Sequence, residues 1–283
     1  KEEQDSSEPI LTLLQKYHVP QTCLALCTHP NLLEPASQIV ESAMGLFSEE
    51  LIPHMIDDKN SLKALFGLLN RRIGGDEHKR ASTRIRRLNC QILSHAAKQG
   101  LLGRAVDRLG LRTQAVAALT AACLVDGQDQ PNDEDYLDDI DVPMLCLQSL
   151  IDVFSGTTED AVTESSACPV LIISSGEAVT VASTLGKQIS DMVSTRFMQR
   201  EHEKGLSYGL DDELRFITRA PEVQLLCALA SSKEALPDLC KNGGLQALSL
   251  IAMEGELAAI EAMKQASKDD PSVVLAVEGH LSV

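Results

Sequence analysis

Apolar residues recur three and four positions apart along almost the whole chain. The pattern appears in Ile10-Leu11-Leu13-Leu14, Ile39-Val40-Ala43-Met44-Phe47, Leu88-Ile92-Leu93-Ala96 and Ala115-Ala118-Leu119-Ala122, and it returns in Leu145-Leu147-Leu150-Ile151-Phe154 and Leu225-Leu226-Leu229. This period is that of buried helix faces. Composition points the same way. Of 283 residues 44% are apolar, yet only 3% are aromatic and Trp is absent, so Leu, Ala, Val and Ile must fill the core. Such a core suits helices and disfavours a β-sandwich or barrel. The expected class is all-α, with helices of about ten to fifteen residues and short joints. Pro221 and Pro271 stand where first turns begin, and Gly100, Gly110, Gly176, Gly243 and Gly279 follow apolar runs as helix-ending residues.

Charge and cysteine usage narrow the function classes. The chain carries 41 acidic and 25 basic side chains, a formal charge of −16, and only three Tyr and five Phe. A general nucleic-acid binder needs a basic, stacking-rich surface, so nucleic acid is not the expected partner. The eight cysteines, Cys23, Cys27, Cys90, Cys123, Cys146, Cys168, Cys227 and Cys240, mostly sit inside apolar helical patterns. Free-thiol usage of this kind belongs to a reducing compartment, cytoplasmic or nuclear. No apolar run reaches the length of about 18 residues that spans a bilayer, and the polar, acidic start at Lys1 to Glu8 is no signal peptide. The chain begins without Met and stops just after Gly279-His280-Leu281, which reads as a piece of a longer protein.

Two C-terminal stretches are alike. Leu239-Cys240-Lys241-Asn242-Gly243-Gly244-Leu245-Gln246-Ala247-Leu248 and Val274-Leu275-Ala276-Val277-Glu278-Gly279-His280-Leu281 each end a helix in a polar-Gly pair and then start another apolar segment. Upstream of each lies a small-residue helix, Glu222 to Ala230 and Leu257 to Ala266. Ala228-Leu229-Ala230 followed by Asn242-Gly243-Gly244-Leu245 resembles the armadillo repeat, with His280 replacing the second Gly in the last unit. The resemblance is specific over residues 220–283. Fainter echoes stand at Leu109-Gly110-Leu111, at Ser174 to Val179 and at Asp57 to Leu62. The resemblance implies an armadillo/HEAT-like right-handed α-solenoid over residues 1–283, with irregular repeats and acidic loop insertions. Helix joints would fall at Gly110, Gly176, Gly243, Gly244 and Gly279, because a sharp reversal needs a left-handed residue that a Cβ penalises.

Residues 126–141 hold eight carboxylates and no basic side chain, and a second loop insertion is expected at 199–212. The acidic tract lacks the central Gly and terminal Glu of a calcium loop. Its Tyr136 and, elsewhere, Ser82 and Thr83 are candidate phosphorylation sites. Between Arg71 and Arg87 seven basic side chains face only Asp76 and Glu77. Arg71, Arg72, Arg80, Arg84, Arg86 and Arg87 either pair with the chain's own carboxylates or form a patch for an acidic partner. Catalytic and metal motifs fail on spacing. Leu206 replaces the second His that Glu201-His202-Glu203 would need for zinc, Gly74-Gly75 runs into Asp-Glu-His, and Cys23 and Cys27 lie on one apolar face with only His29 nearby.

The armadillo resemblance, with no catalytic or cofactor motif found, implies a non-catalytic scaffold without cofactor, presenting a concave helical surface to a peptide or protein partner, as a monomer or within a larger assembly. In the armadillo family, nuclear-import adaptors hold basic peptides on Trp and Asn ladders, and this Trp-free chain departs from them. A substrate-binding or regulatory arm of a larger enzyme such as a ubiquitin ligase, and a membrane-traffic tether, stay open beside the scaffold.

Overall fold

A computed structural model describes residues 8–70, 79–124, 142–155, 171–204, 220–253 and 257–269. Among them the chain forms thirteen helices and no strand, as an all-α expectation requires. It divides into two compact units, Lys1–Val153 and Phe154–Val283.

The first unit holds α1 (Glu8–Lys16), α2 (Val19–Leu26), α3 (Pro30–Asp57), α4 (Lys59–Leu69), α5 (Lys79–Lys98), α6 (Leu102–Leu109), α7 (Arg112–Cys123) and all but the end of α8 (Val142–Ser155). Helix α3 packs against α2 and α5, while α4 packs against α5 and α7. Leu33, Leu51, Ile52, Met55, Leu62 and Leu65 are wholly buried between them. Each such side chain contributes about 1.5–3 kcal/mol over exposure, so aliphatic volume replaces the missing aromatics. Helix α3 is broken at Phe47, where φ is −139° and ψ 35°. Pro53 follows within two turns and has no N–H to donate, which weakens the helix on that side.

The joints on either side of α6 obey one rule. At the end of α5, Gly100 takes φ +64°. Its N–H reaches the Ala97 carbonyl at 2.9 Å, and the Leu101 N–H reaches that of Ala96 at 2.9 Å. At the end of α6, Gly110 takes φ +65°, with the same two bonds from Gly110 to Asp107 and from Leu111 to Val106. Both are Schellman closures, which satisfy the last carbonyls of a helix and turn the chain back at once. Helix α6 has no N-cap of its own, because Leu101 offers no acceptor. The Asp152 carboxylate of α8 supplies one, accepting the Gly103 N–H at 2.8 Å. The helices meet so closely that a Cβ on Gly103 would be driven into the Asp152 backbone carbonyl.

In the second unit α9 (Ser175–Lys204) is the central element. Against it lie α10 (Pro221–Ala230), α11 (Leu236–Lys241) and α12 (Gly244–Met253), while α13 (Leu257–Asp269) packs on α10 and α12. Pro221 opens α10 as expected. Gly176 departs from expectation, for it lies at the start of α9 and ends no helix. The reason is the Ser-x-x-Glu pattern before it: Ser174 N and Oγ donate to Glu177 Oε2 at 2.9 and 2.8 Å, a capping box that starts a helix there. Over residues 199–204 the expected loop at 199–212 is not found, since those residues continue α9. They are Gln, Arg, Glu, His, Glu and Lys, mostly good helix formers. The rest of that loop, the tract 126–141 with Tyr136, Pro271 and Gly279 lie outside the described residues.

Two outcomes follow from the α6–α8 contact. Gly103→Ala lowers stability by about 1–3 kcal/mol through overpacking, whereas Gly67→Ala in α4, with open space around its Cβ position, raises it by about 0.5–1 kcal/mol. Urea denaturation checks both, and equal effects at the two sites would remove the close contact. Burial also pushes the Asp152 carboxyl above its ordinary 3.8, only partly offset by the Gly103 N–H and by Arg104. The folded state then holds this proton more readily than the unfolded one. The contribution is full below 3.8 and lost as pH rises through the raised value. Asp152→Asn keeps an acceptor and abolishes the titration, so its stability relative to the parent chain is highest at pH 7 and falls as pH is lowered to 4. A difference that stays flat over this range rules the linkage out.

Candidate functional site

The basic tract enters the described residues at α5. Arg84 lies between two carboxylates of α3, with Nη1 3.4 Å from Glu34 and Nε 3.3 Å from Glu41. The Arg84 and Glu34 side chains are 45% and 55% exposed, so this pairing contributes only about 0–1 kcal/mol. Arg86 points inward. Its Nη2 donates to the Ala122 carbonyl at 2.9 Å, at the C-terminal end of α7, where the helix dipole favours a cation. Arg87 is half-buried, as are Ser82 and Thr83. Arg71 and Arg72 lie outside the described residues, as does the Arg80 side chain. Of the six candidate arginines, the structure thus gives Arg84 and Arg86 partners from this same chain.

Near Arg86 lie buried thiols whose contacts with one another the residue pattern did not show. Cys90 Sγ of α5 is 3.8 Å from Cys146 Sγ of α8, and Cys123 Sγ of α7 donates to the Pro143 carbonyl at 3.8 Å. All three thiols are at most 1% exposed. Contact with Cys146, and then burial, push the Cys90 thiol up, and contact with Cys123 does the same to Cys146. Raised thiols stay protonated and weakly nucleophilic. Asn89 of α5 is also fully buried, and neither its amide nitrogen nor its oxygen has a partner among the described residues. Cys23 of α2 and Cys27 at its C-terminal cap are both buried, and burial with the neighbouring Cys23 sulfur pushes Cys27 up to about 11. Among the described residues no group of three or more His, Cys, Asp or Glu side chains is arranged to hold a metal ion.

The helix joint singled out by its Asn-Gly-Gly sequence is built from two different glycines. Gly243 takes φ +78°, the left-handed conformation. Gly244 opens α12, and a Cβ there would press on Leu239 Cδ2 at 3.0 Å and Leu226 Cδ1 at 3.3 Å. One glycine supplies the turn, the other the close approach of α10, α11 and α12. Asn242 fastens the joint to α9, its Nδ2 donating to the Ala182 carbonyl at 3.3 Å. The contact needs Gly186 on α9, where a Cβ would stand 3.0 Å from Asn242 Nδ2. Deeper in this unit, Glu222 of α10 is only 1% exposed and pairs with Arg196 of α9, while its second oxygen has no partner among the described residues. A first-turn Glu is an ordinary sequence feature, so nothing in the residue pattern marks this one as buried.

No family model, curated protein or solved structure gives a significant match to the chain. No described helix is long and apolar enough to cross a membrane.

Removing one side of the Arg196–Glu222 pair strands a buried charge. Arg196→Ala therefore costs about 3 kcal/mol, the low end for buried pairs because Arg196 is 31% exposed. Arg196→Met combined with Glu222→Gln recovers most of that loss. Chemical denaturation of both variants tests this, and a double variant as unstable as the single one would show that the charge pairing is not what matters.

Proposed function

We propose that the chain is a non-catalytic protein-interaction scaffold, built as an armadillo/HEAT-like right-handed α-solenoid that holds an extended peptide or a helix of a partner protein. It works in the cytoplasm, with the nucleus as a second location. The reading rests on one observation, the recurrence of a helix, a short helix and a further helix closed by left-handed glycines. In α5–α6–α7 both joints are of this kind, at Gly100 and Gly110, and in α10–α11–α12 the second joint is, at Gly243. A unit of this form cannot bury its apolar face alone and stacks on its neighbours. The last helix of each unit then offers its exposed positions as a recognition surface, such as Gln114 on α7 and Gln246 on α12.

The test is selection from a displayed library of extended and helical peptides, followed by fluorescence anisotropy with the chain. A scaffold gives saturable micromolar binding. Gln114→Arg or Gln246→Arg weakens it about fivefold, equivalent to about 1 kcal/mol, while the circular dichroism spectrum is unchanged. Selection without any binder, or binders indifferent to both substitutions, would sink the reading.

A further inference from the structure

Two of the buried thiols stand on helices far apart in the chain. Cys90 belongs to α5 and Cys146, 56 positions later, to α8, and their sulfurs are 3.8 Å apart. A disulfide needs about 2.05 Å between its sulfurs, so about 1.8 Å remains to close, a distance that rotation about the two Cα–Cβ bonds covers. Cys146 also touches the Cys123 sulfur, but Cys123 is engaged with the Pro143 carbonyl, which leaves Cys90 as the sulfur for Cys146 to join. Arg86 stands four residues before Cys90 on the same side of α5. Its guanidinium favours the thiolate of both sulfurs, against the effect of burial. Helix α8 also carries Asp152, the cap of α6, so a link at Cys146 would hold that cap in place as well.

We propose that Cys90 and Cys146 are an oxidation-sensitive pair that closes to a disulfide under hydrogen peroxide and fastens α8 to α5. In the first step one sulfur attacks a peroxide oxygen, the O–O bond breaks, and the thiol becomes a sulfenic acid as one water leaves. In the second step the other sulfur attacks that sulfenic sulfur. The S–O bond breaks, and the departing oxygen takes the second thiol's proton and leaves as water. The two sulfurs lose two electrons in all, and one peroxide is reduced to two waters. Both thiols are at most 1% exposed, so the reaction is slow and favours a small, uncharged oxidant over a bulky one. In reducing solution the pair rests as two thiols. None of this depends on the scaffold reading above.

The test incubates the whole chain with excess hydrogen peroxide in native buffer, blocks the remaining thiols with N-ethylmaleimide, and maps the digest by mass spectrometry without reduction. The expected product is a linked pair of peptides carrying Cys90 and Cys146. The oxidised chain is expected to melt about 5–10 °C above the reduced one, and dithiothreitol to reverse the rise. Cys90→Ala loses the rise and Cys123→Ala keeps it. Each variant is compared with its own reduced form, so a change in basal stability does not enter. Cys90 and Cys146 that stay reduced, or that pass to sulfinic acid without linking, would overturn the proposal. So would linkage mainly through Cys123, or an oxidised chain that melts at or below the reduced one.

Discussion

Everything in the first unit depends on how tightly a helix can reverse. With so little aromatic volume, the core closes only if backbones come near each other, and they come near only if the connections are short. Gly100 and Gly110 meet this need by ending α5 and α6 in the left-handed conformation. The last carbonyls of each helix are satisfied locally, so neither joint needs a longer loop. Closeness then places Gly103 against the Asp152 backbone, and the same carboxyl serves as the missing cap of α6. Turn, packing and capping are thus consequences of one constraint.

The same economy appears in the second unit with different parts. Gly243 reverses the chain, Gly244 lets three helices meet, and Asn242 with Gly186 fixes the joint on α9. Arg196 makes it tolerable for the Glu222 carboxylate to lie inside. A buried pair of this kind adds little net stability but fails badly when half of it is removed. It therefore ties the register of α10 to that of α9.

Electrostatics follows from the excess of acid. Each described arginine of the basic tract with an assigned partner finds it within this chain: Arg84 bridges to α3, and Arg86 holds the end of α7. The exposed Arg84 pairing leaves its guanidinium in water, and disrupting it costs little. Arg86 is different in kind, since its head group holds the Ala122 carbonyl close to the buried thiols of Cys90 and Cys146. Apolar character is distributed unevenly as well. Seven of the ten large apolar side chains exposed among the described residues lie between Ile10 and Leu46.

The helical class, the Pro221 helix start and the turns at Gly110 and Gly243 were legible in the residues alone. They are local, set by side-chain period and by the conformations that proline and glycine allow. The Ser174-to-Glu177 cap was equally local, and reading Gly176 as a helix end overlooked it. The sequence could not reveal that Asp152 caps a helix 49 positions away, that Glu222 is buried against Arg196, or that Cys90 and Cys146 touch. The period also set Ile39 on the buried face of α3 with Val40 and Met44, yet Ile39 lies at the edge of that face and is 47% exposed. Residues i and i+4 share a face whatever the rest of the chain does, but which faces meet is decided by the packing of helices distant in sequence, and only the tertiary structure contains that.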